Sequence, residues 1–247
     1  MQNKYQMKVY RYLSFRRFSE LLFMKELALI NPAKWPDQYE MYTVLELFDS
    51  GNQERYQMLF DDYEIPIEKN FDMLRETVEA VLNDSYCLCF SRSKDSEVMW
   101  NAYSYQNNAL MIRTSVDKLL ALAPESLSVA RVRYDLKSTQ LDFLLENCEF
   151  EAGGLTIHHS DELLRHKRKC FQYENELRLI GGSFDDSPHR MGDGIVYLPI
   201  ADISNFVERV MVHPLADDGY VSLIEKICQH FGIQFWGRSK IYEFKRK

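Results

Sequence analysis

Apolar positions recur along this chain in two periods. Over residues 7–13 (MKVYRYL) they alternate, with Val9, Arg11 and Leu13 on one face and Tyr10 and Tyr12 on the other, which predicts an opening strand. Ser19 then stands as the cap of a helix over 20–29 that stops before Asn31-Pro32. Residues 31–40, with two prolines, read as a shaped loop. Helical spacing returns over 42–60 and 67–83, where Phe71, Leu74, Val78, Val81 and Leu82 share a face, with a break at 61–66. These helices predict a covering layer or insertion near 42–83.

Beyond them the pattern is mixed. The run YCLCFS at 86–91 predicts a buried strand, 98–103 a helical turn carrying Met99, Trp100 and Tyr103, and 109–113 a further strand. Thr114 or Ser115 caps a helix over 116–122. A strand follows at 129–134, an apolar-striped helix at 141–148, a glycine break at 153–154 and a helix at 161–169 that ends in a basic run. After a polar loop at 181–194 come strands at 196–200 and 209–213. A helix at 221–231 has Gly232 just past its end, and short strands follow at 233–236 and 241–244. Strands and helices placed this unevenly predict an α+β fold rather than a regular βαβ repeat. The expectation is a single domain over 1–247 with a split, bent mixed sheet.

The stretch at 169–180 (KCFQYENELRLI) holds the densest candidate chemistry. Read as a strand, it puts Glu174, Glu176 and Arg178 on one face and Tyr173, Asn175, Leu177 and Leu179 on the other. Two carboxylates spaced by two residues lie roughly 7 Å apart, near enough to contact one ligand while Arg178 holds one of them ionised. A solvent-facing edge with paired surface charges fits the same alternation.

Composition narrows the classes. Hydrophobic residues make up 46% of the 247, ample for a packed core, and 15 Tyr with 15 Phe supply the aromatic walls common in ligand pockets. A net charge of −7 argues against a general nucleic-acid coat protein, though not against a local basic groove. Five cysteines without framework spacing, and no N-terminal apolar segment of a secretory signal, predict a reduced cytoplasmic setting. No apolar run is long enough for a membrane helix.

Several familiar signatures are missing, among them the phosphate loop, GxGxxG, HExxH and GxSxG. His158-His159 with His166 lacks ligand spacing, and Asp185-Asp186 with Asp193 fits a solvated loop, so no metal is expected.

Three groups of residues are more specific together: VYRYLSF at 9–15 with WPDQYE at 35–40; Cys89-Phe90-Ser91 with Met99-Trp100, Tyr103 and Leu110-Met111-Ile112; and YENELRL at 173–179. In this order they resemble a bacterial family known only as domain of unknown function 2971, whose closing Arg-Ser-x-Ile strand is similar to Arg238–Ile241 here. The likeness runs from about residue 8 to 245. It departs at Pro36-Asp37-Gln38, where the family has Asn-Asp-Pro.

The motif order also resembles ADP-ribosyltransferases, which carry an Arg or His on the first strand, a Ser on the next and a catalytic Glu, often within Glu-x-Glu, on a later one. That resemblance implies an NAD-consuming transferase, a toxin or phage-defence effector, acting on a nucleic acid or a protein and held in check by a neutralising partner protein. Glu176 would stabilise the positive charge that builds on the ribose as the nicotinamide bond breaks, and Glu174 would orient or deprotonate the acceptor. Arg11, Tyr12, Ser91, Trp100, Tyr103 and Arg178 would form the NAD-binding set. Arg11 would meet the pyrophosphate or brace the ribose, and Trp100 or Tyr103 would stack on nicotinamide. Each has a structural counterpart: Arg11 paired with Glu40, Ser91 capping its loop, Trp100 and Tyr103 in the core, and Arg178 orienting a carboxylate.

Two other classes remain open on sequence. One is a non-enzymatic sensor or interaction module with a nucleotide-like ligand. The other is a nuclease using Asp37, Glu40, Glu174 and Glu176 around a divalent metal. The basic run 165–169 and the tail 238–247 are the candidate nucleic-acid contacts, and both also fit solvated faces.

Overall fold

Ser14, not Ser19, starts the first helix. Its hydroxyl accepts from the Arg17 amide at 3.4 Å, and helix α1 (Phe15–Met24) follows strand β1 (Lys8–Leu13) directly. Lys25 then turns left-handed (φ 53°) and ends the helix. The residues predicted to continue it form strand β2 (Glu26–Ile30), in which Leu27 and Leu29 alternate into the core. The computed structural model describes residues 7–37, 67–104, 106–123, 125–134, 147–151, 154–182, 184 and 190–243. The expected helices at 42–60 and nearly all of 141–148 lie outside these residues.

The remaining elements follow in order. Helix α2 (Ile67–Asn83) buries Leu74, Val78 and Leu82, one residue per turn of one stripe. Strand β3 (Tyr86–Ser91), helix α3 (Glu97–Tyr103), strand β4 (Leu110–Ser115), helix α4 (Val116–Leu120) and strand β5 (Leu127–Arg131) come next. Strands β6 (Cys148–Glu151) and β7 (Gly154–Ile157) pair with each other. Then come strand β8 (Glu176–Gly181), β9 (Arg190–Gly192), β10 (Ile195–Pro199), helix α5 (Ile203–Phe206), β11 (Arg209–Val212), helix α6 (Asp218–His230) and β12 (Gln234–Arg238). Residues 241–242 form a turn where a strand was predicted.

Ten strands form one mixed sheet in the order β12-β11-β4-β1-β3-β2-β10-β9, with β8 between β3 and β5. Its pairs are antiparallel except β11 with β12. One large apolar cluster, including Val9, Leu88, Phe90, Leu110, Ile112, Leu177 and Leu179, fills one side. A smaller one, of Tyr12, Met99, Trp100, Ala109, Met111 and Met211, lies on the other.

Strand β3 is the junction of this sheet. It pairs along its whole length with β8, yet meets β1 only at Tyr10–Ser91 and β2 only at Ile30–Cys87. Between those two points its other edge is not laddered, and a side chain can enter there.

Candidate active site

The stretch at 169–180 is not one strand. Residues Lys169–Glu174 form a 3-10 helix, Asn175 adopts the left-handed conformation (φ 43°), and only Glu176 onward is extended. Asn is among the few side chains that accept this geometry, because it can bond locally. Here its amide nitrogen donates to Ser93 Oγ at 2.9 Å and its backbone carbonyl accepts from Arg92 N at 2.9 Å. The two glutamates therefore do not share a strand face by alternation. They are brought together by the turn and by a shared lysine.

That lysine is Lys167. Its ammonium donates to Glu174 Oε2 at 2.6 Å and to Glu176 Oε2 at 3.1 Å. It is held there by a bridge between Arg133 and His166, flanked by Arg133 N donating to Arg165 O and Lys167 N donating to Arg133 O. Arg178, next on the strand face, donates from Nε to Glu176 Oε1 at 2.8 Å and from Nη1 to the Leu164 carbonyl at 2.7 Å. Its guanidinium lies 4.7 Å from the Trp35 ring centroid. Arg178 thus orients a carboxylate. Tyr134 accepts from the Glu176 amide at 2.7 Å.

Glu176 is 2% exposed and Arg178 1%. Burial opposes ionisation of Glu176, but the charges of Arg178 and Lys167, with hydrogen bonds from Arg178 and Cys89, outweigh it and hold the carboxyl at about 2. Glu174 moves the other way. Burial raises it, Lys167 opposes that, and neighbouring Glu176 adds to the rise. The two adjacent carboxyls are shifted in opposite directions: Glu176 is held as an anion, and Glu174 takes up a proton more readily than an ordinary carboxylate. A buried charged cluster of this kind is a poor source of stability.

The other predicted site residues divide. Ser91, opposite Glu176 in register, donates to the Glu174 carbonyl at 2.7 Å and accepts from the Ser93 amide at 3.0 Å. It fixes the approach to both glutamates, as well as capping its loop. Arg11 enters the unladdered gap beside β3 and donates from Nη1 to the Cys89 carbonyl at 2.9 Å. Burial lowers its pKa while Tyr103 and Cys89 act to raise it. Tyr103 is 44% exposed. Burial pushes its phenol up to about 12, with Cys89, Glu174 and Glu176 adding to the rise against Arg11, so it belongs to the same neighbourhood. Trp100 and Tyr12 are packed in the smaller apolar cluster. Trp100 is fully buried, with Nε1 donating to Asp95 Oδ1 at 2.8 Å, and packs edge-on against Tyr12 at 4.9 Å. Tyr12 is buried too, and its hydroxyl accepts from the Ser96 amide at 2.8 Å. Both support α3 rather than the cleft.

Beside Arg11 opens a cavity of about 380 Å³ on the α1 side of the gap. Arg11, Arg16 and Arg17 supply its cations, while Leu13, Leu21, Ile30 and Leu88 supply apolar wall. Arg16 and Arg17 are shared with Glu20.

Asp37 lies apart from the two glutamates in its contacts, pairing with Arg168 at 2.8 Å. Glu40 is outside the described residues. Among the described residues no group of three or more His, Cys, Asp or Glu side chains is placed to hold a metal. An ammonium already sits between Glu174 and Glu176. Three cations of the basic run are likewise committed internally: Arg165 pairs with Asp161 and Glu162, Lys167 with the glutamates and Arg168 with Asp37. Sequence reasoning missed Lys167, because one Lys inside a basic run carries no pattern of its own.

No family model matches the sequence, and no curated protein matches it. The resemblance to domain of unknown function 2971 therefore rests on motifs alone. Among solved structures, the chain is similar to DarT from Thermus sp. 2.9 in complex with ADP-ribosylated ssDNA, at 12% identity and a TM-score of 0.40, over 95% of this chain and 96% of that one. It is also similar to the same protein in complex with NAD+, at 13% identity and a TM-score of 0.40, over 97% and 98%. At that level of likeness, the functional reading has to come from the chain's own residues.

Among the described residues no helix is long and apolar enough to cross a membrane.

Proposed function

We propose that this chain is an NAD-consuming ADP-ribosyltransferase-like enzyme, a toxin or defence effector that transfers ADP-ribose to a macromolecule. One observation carries the reading. A buried Glu176 held below the usual carboxylate range lies beside a raised Glu174, and a chain of contacts links them to an arginine-edged cavity: the cavity is lined by Arg11, Arg11 bonds the Cys89 carbonyl, and Cys89 bonds Glu176.

The chemistry follows from those charges. NAD places its pyrophosphate on Arg11 with Arg16 and Arg17 on the α1 face of the sheet, its apolar faces on the cavity wall, and its reacting ribose through the gap beside β3 toward the opposite face, where Glu176 lies. The bond from ribose C1 to nicotinamide breaks, and its electron pair leaves with nicotinamide. The ribose becomes cationic, and Glu176 stabilises that charge where water is excluded. A ribose hydroxyl reaches Glu176 by taking the place of the Lys167 ammonium. The acceptor atom then bonds to C1 and gives its proton to Glu174.

The deciding experiment is incubation of purified protein with NAD, with nicotinamide release as the readout. Wild type should release nicotinamide, and Glu176→Gln should lose at least about 100-fold. Because Glu176→Gln also strips two buried cations of their partner, Glu174→Gln serves as a second variant. No release by wild type, with and without a nucleic-acid acceptor, together with no NAD binding by calorimetry, overturns the proposal.

A further inference from the structure

The cavity beside Arg11 has two ends of opposite character. Arg16 and Arg17 stand in the first turn of α1 and Met24 closes its last, so residues 17–24 put roughly 10 Å between them. Of the carboxylates that line the cavity, Glu20 pairs with Arg16 and Arg17, whereas Glu26 stands at the Met24 end. Glu26 follows the left-handed Lys25 and opens β2, which forms a facing wall. Along that wall Glu26, Ala28 and Ile30 point the same way, as alternate residues of a strand do. Ile30 marks the end where β2 meets β3, and Glu26 lies roughly 13 Å from it.

Tyr197 of β10 is opposite Ala28 in register and projects from the same face, between those two ends. The wall therefore runs from an apolar side chain to an aromatic ring to a carboxylate. Across from it α1 supplies Leu21 and Met24. Met24, Ala28 and Tyr197 belong to neither of the two apolar clusters described above. Glu26 and Tyr197 are half-buried and Met24 is 66% exposed, so this end is open to solvent.

We propose that this end of the cavity is an adenine subsite and that Glu26 sets the base specificity of the reaction; the proposal rests on the enzyme reading above. The reacting ribose leaves the cavity through the gap beside β3, so the adenosine half of NAD stays behind. With the pyrophosphate on the arginines, the base lies one nucleoside farther out, between Met24 and Tyr197. Its exocyclic amino group donates to the Glu26 carboxylate. A carboxylate offers about four acceptor positions, so Glu26 can take this donor along with any partner within the chain. Hypoxanthine carries a carbonyl where adenine has the amine, which sets two acceptors against each other and leaves both unsatisfied. A carboxylate that met the adenosine ribose instead would reject NADP and accept both bases.

The test is steady-state nicotinamide release by the intact protein from NAD and from its hypoxanthine counterpart, deamino-NAD. Wild type should favour NAD in kcat/KM by roughly 30-fold. The difference should lie in KM, because the base is bound alike in the ground and transition states. Glu26→Gln can turn its amide to either base, so deamino-NAD should improve and the ratio should fall to about one. An improvement is a result that misfolding cannot produce. Tyr197→Ala should raise KM for both dinucleotides alike and leave the ratio where it is. Calorimetry with AMP and IMP reads the subsite without the reaction: AMP should bind more tightly, and Glu26→Gln should erase the difference. The proposal is overturned if wild type treats the two bases alike, if Glu26→Gln keeps the preference, or if Glu26 discriminates against NADP and not between bases. Nicotinamide release without base preference overturns the subsite and leaves the enzyme reading standing. A preference for AMP with no release from either dinucleotide overturns the enzyme reading and leaves the subsite.

Discussion

Replacing Glu176 by Gln leaves Arg178 and Lys167 facing a neutral amide inside the protein. Removing one partner of a buried ion pair costs about 3–5 kcal/mol, so Glu176→Gln should lower the urea midpoint as well as activity. The pH dependence has a definite sign. The Glu176 carboxyl is held at about 2, below its ordinary value of 4.5, so its stabilisation is complete above 4.5 and is lost as pH falls from there through 2. Thermal melts across that window should show the loss in wild type and a smaller one in Glu176→Gln. Glu174 is raised instead. It must be ionised to accept a proton, so nicotinamide release should have an acid limb above the ordinary carboxylate range, and Glu174→Gln should abolish that limb. Lys167→Met removes a charge that lowers both carboxyls, so the limb should move to higher pH. A lysine that served packing alone would leave it in place.

The element that aims this chemistry is the left-handed Asn175 between a 3-10 helix and β8. A β-branched residue there meets the left-handed penalty of about 1–2 kcal/mol, so Asn175→Val should destabilise by that amount in urea unfolding. It should also lower nicotinamide release by more than the loss of folded protein explains, because both glutamates are displaced. Asn175→Gly keeps the backbone and should retain most activity. This turn shows where sequence reading stops. Alternation gave Leu177 and Leu179 their correct face, and Glu176 with Arg178 theirs, because β8 is a strand from 176 onward. The same alternation carried back to Lys169 failed, since one Asn in an unusual conformation resets the phase. The helix predicted over 20–29 failed for a related reason: Lys25 turned left-handed and released Glu26–Ile30 to the sheet.

At the scale of the whole molecule, the site is an assembly of distant segments. Arg11, Ser91 and Glu176 were legible as candidates because each sits in a motif. Lys167 was not, because its partners come from elsewhere: it is placed by Arg133. The cavity beside Arg11 is likewise a product of the gap between β1, β2 and β3. Filling it with Ala28→Phe, on the β2 wall, should raise the KM for NAD about tenfold, equivalent to 1.4 kcal/mol. Steady-state kinetics of nicotinamide release would check this.

Strand β1, which ends at residue 13, is flanked by β4 and touches β3, and β4 in turn pairs with β11 at 209–212. At roughly 5–20 residues per second, the arginine of the cavity and the Glu176 carboxylate of β8 are synthesised on the order of ten seconds apart. Early strands must wait, unpaired, for partners encoded far downstream, as β2 does for β10 and β4 for β11. A chain still emerging from the ribosome therefore has no assembled centre.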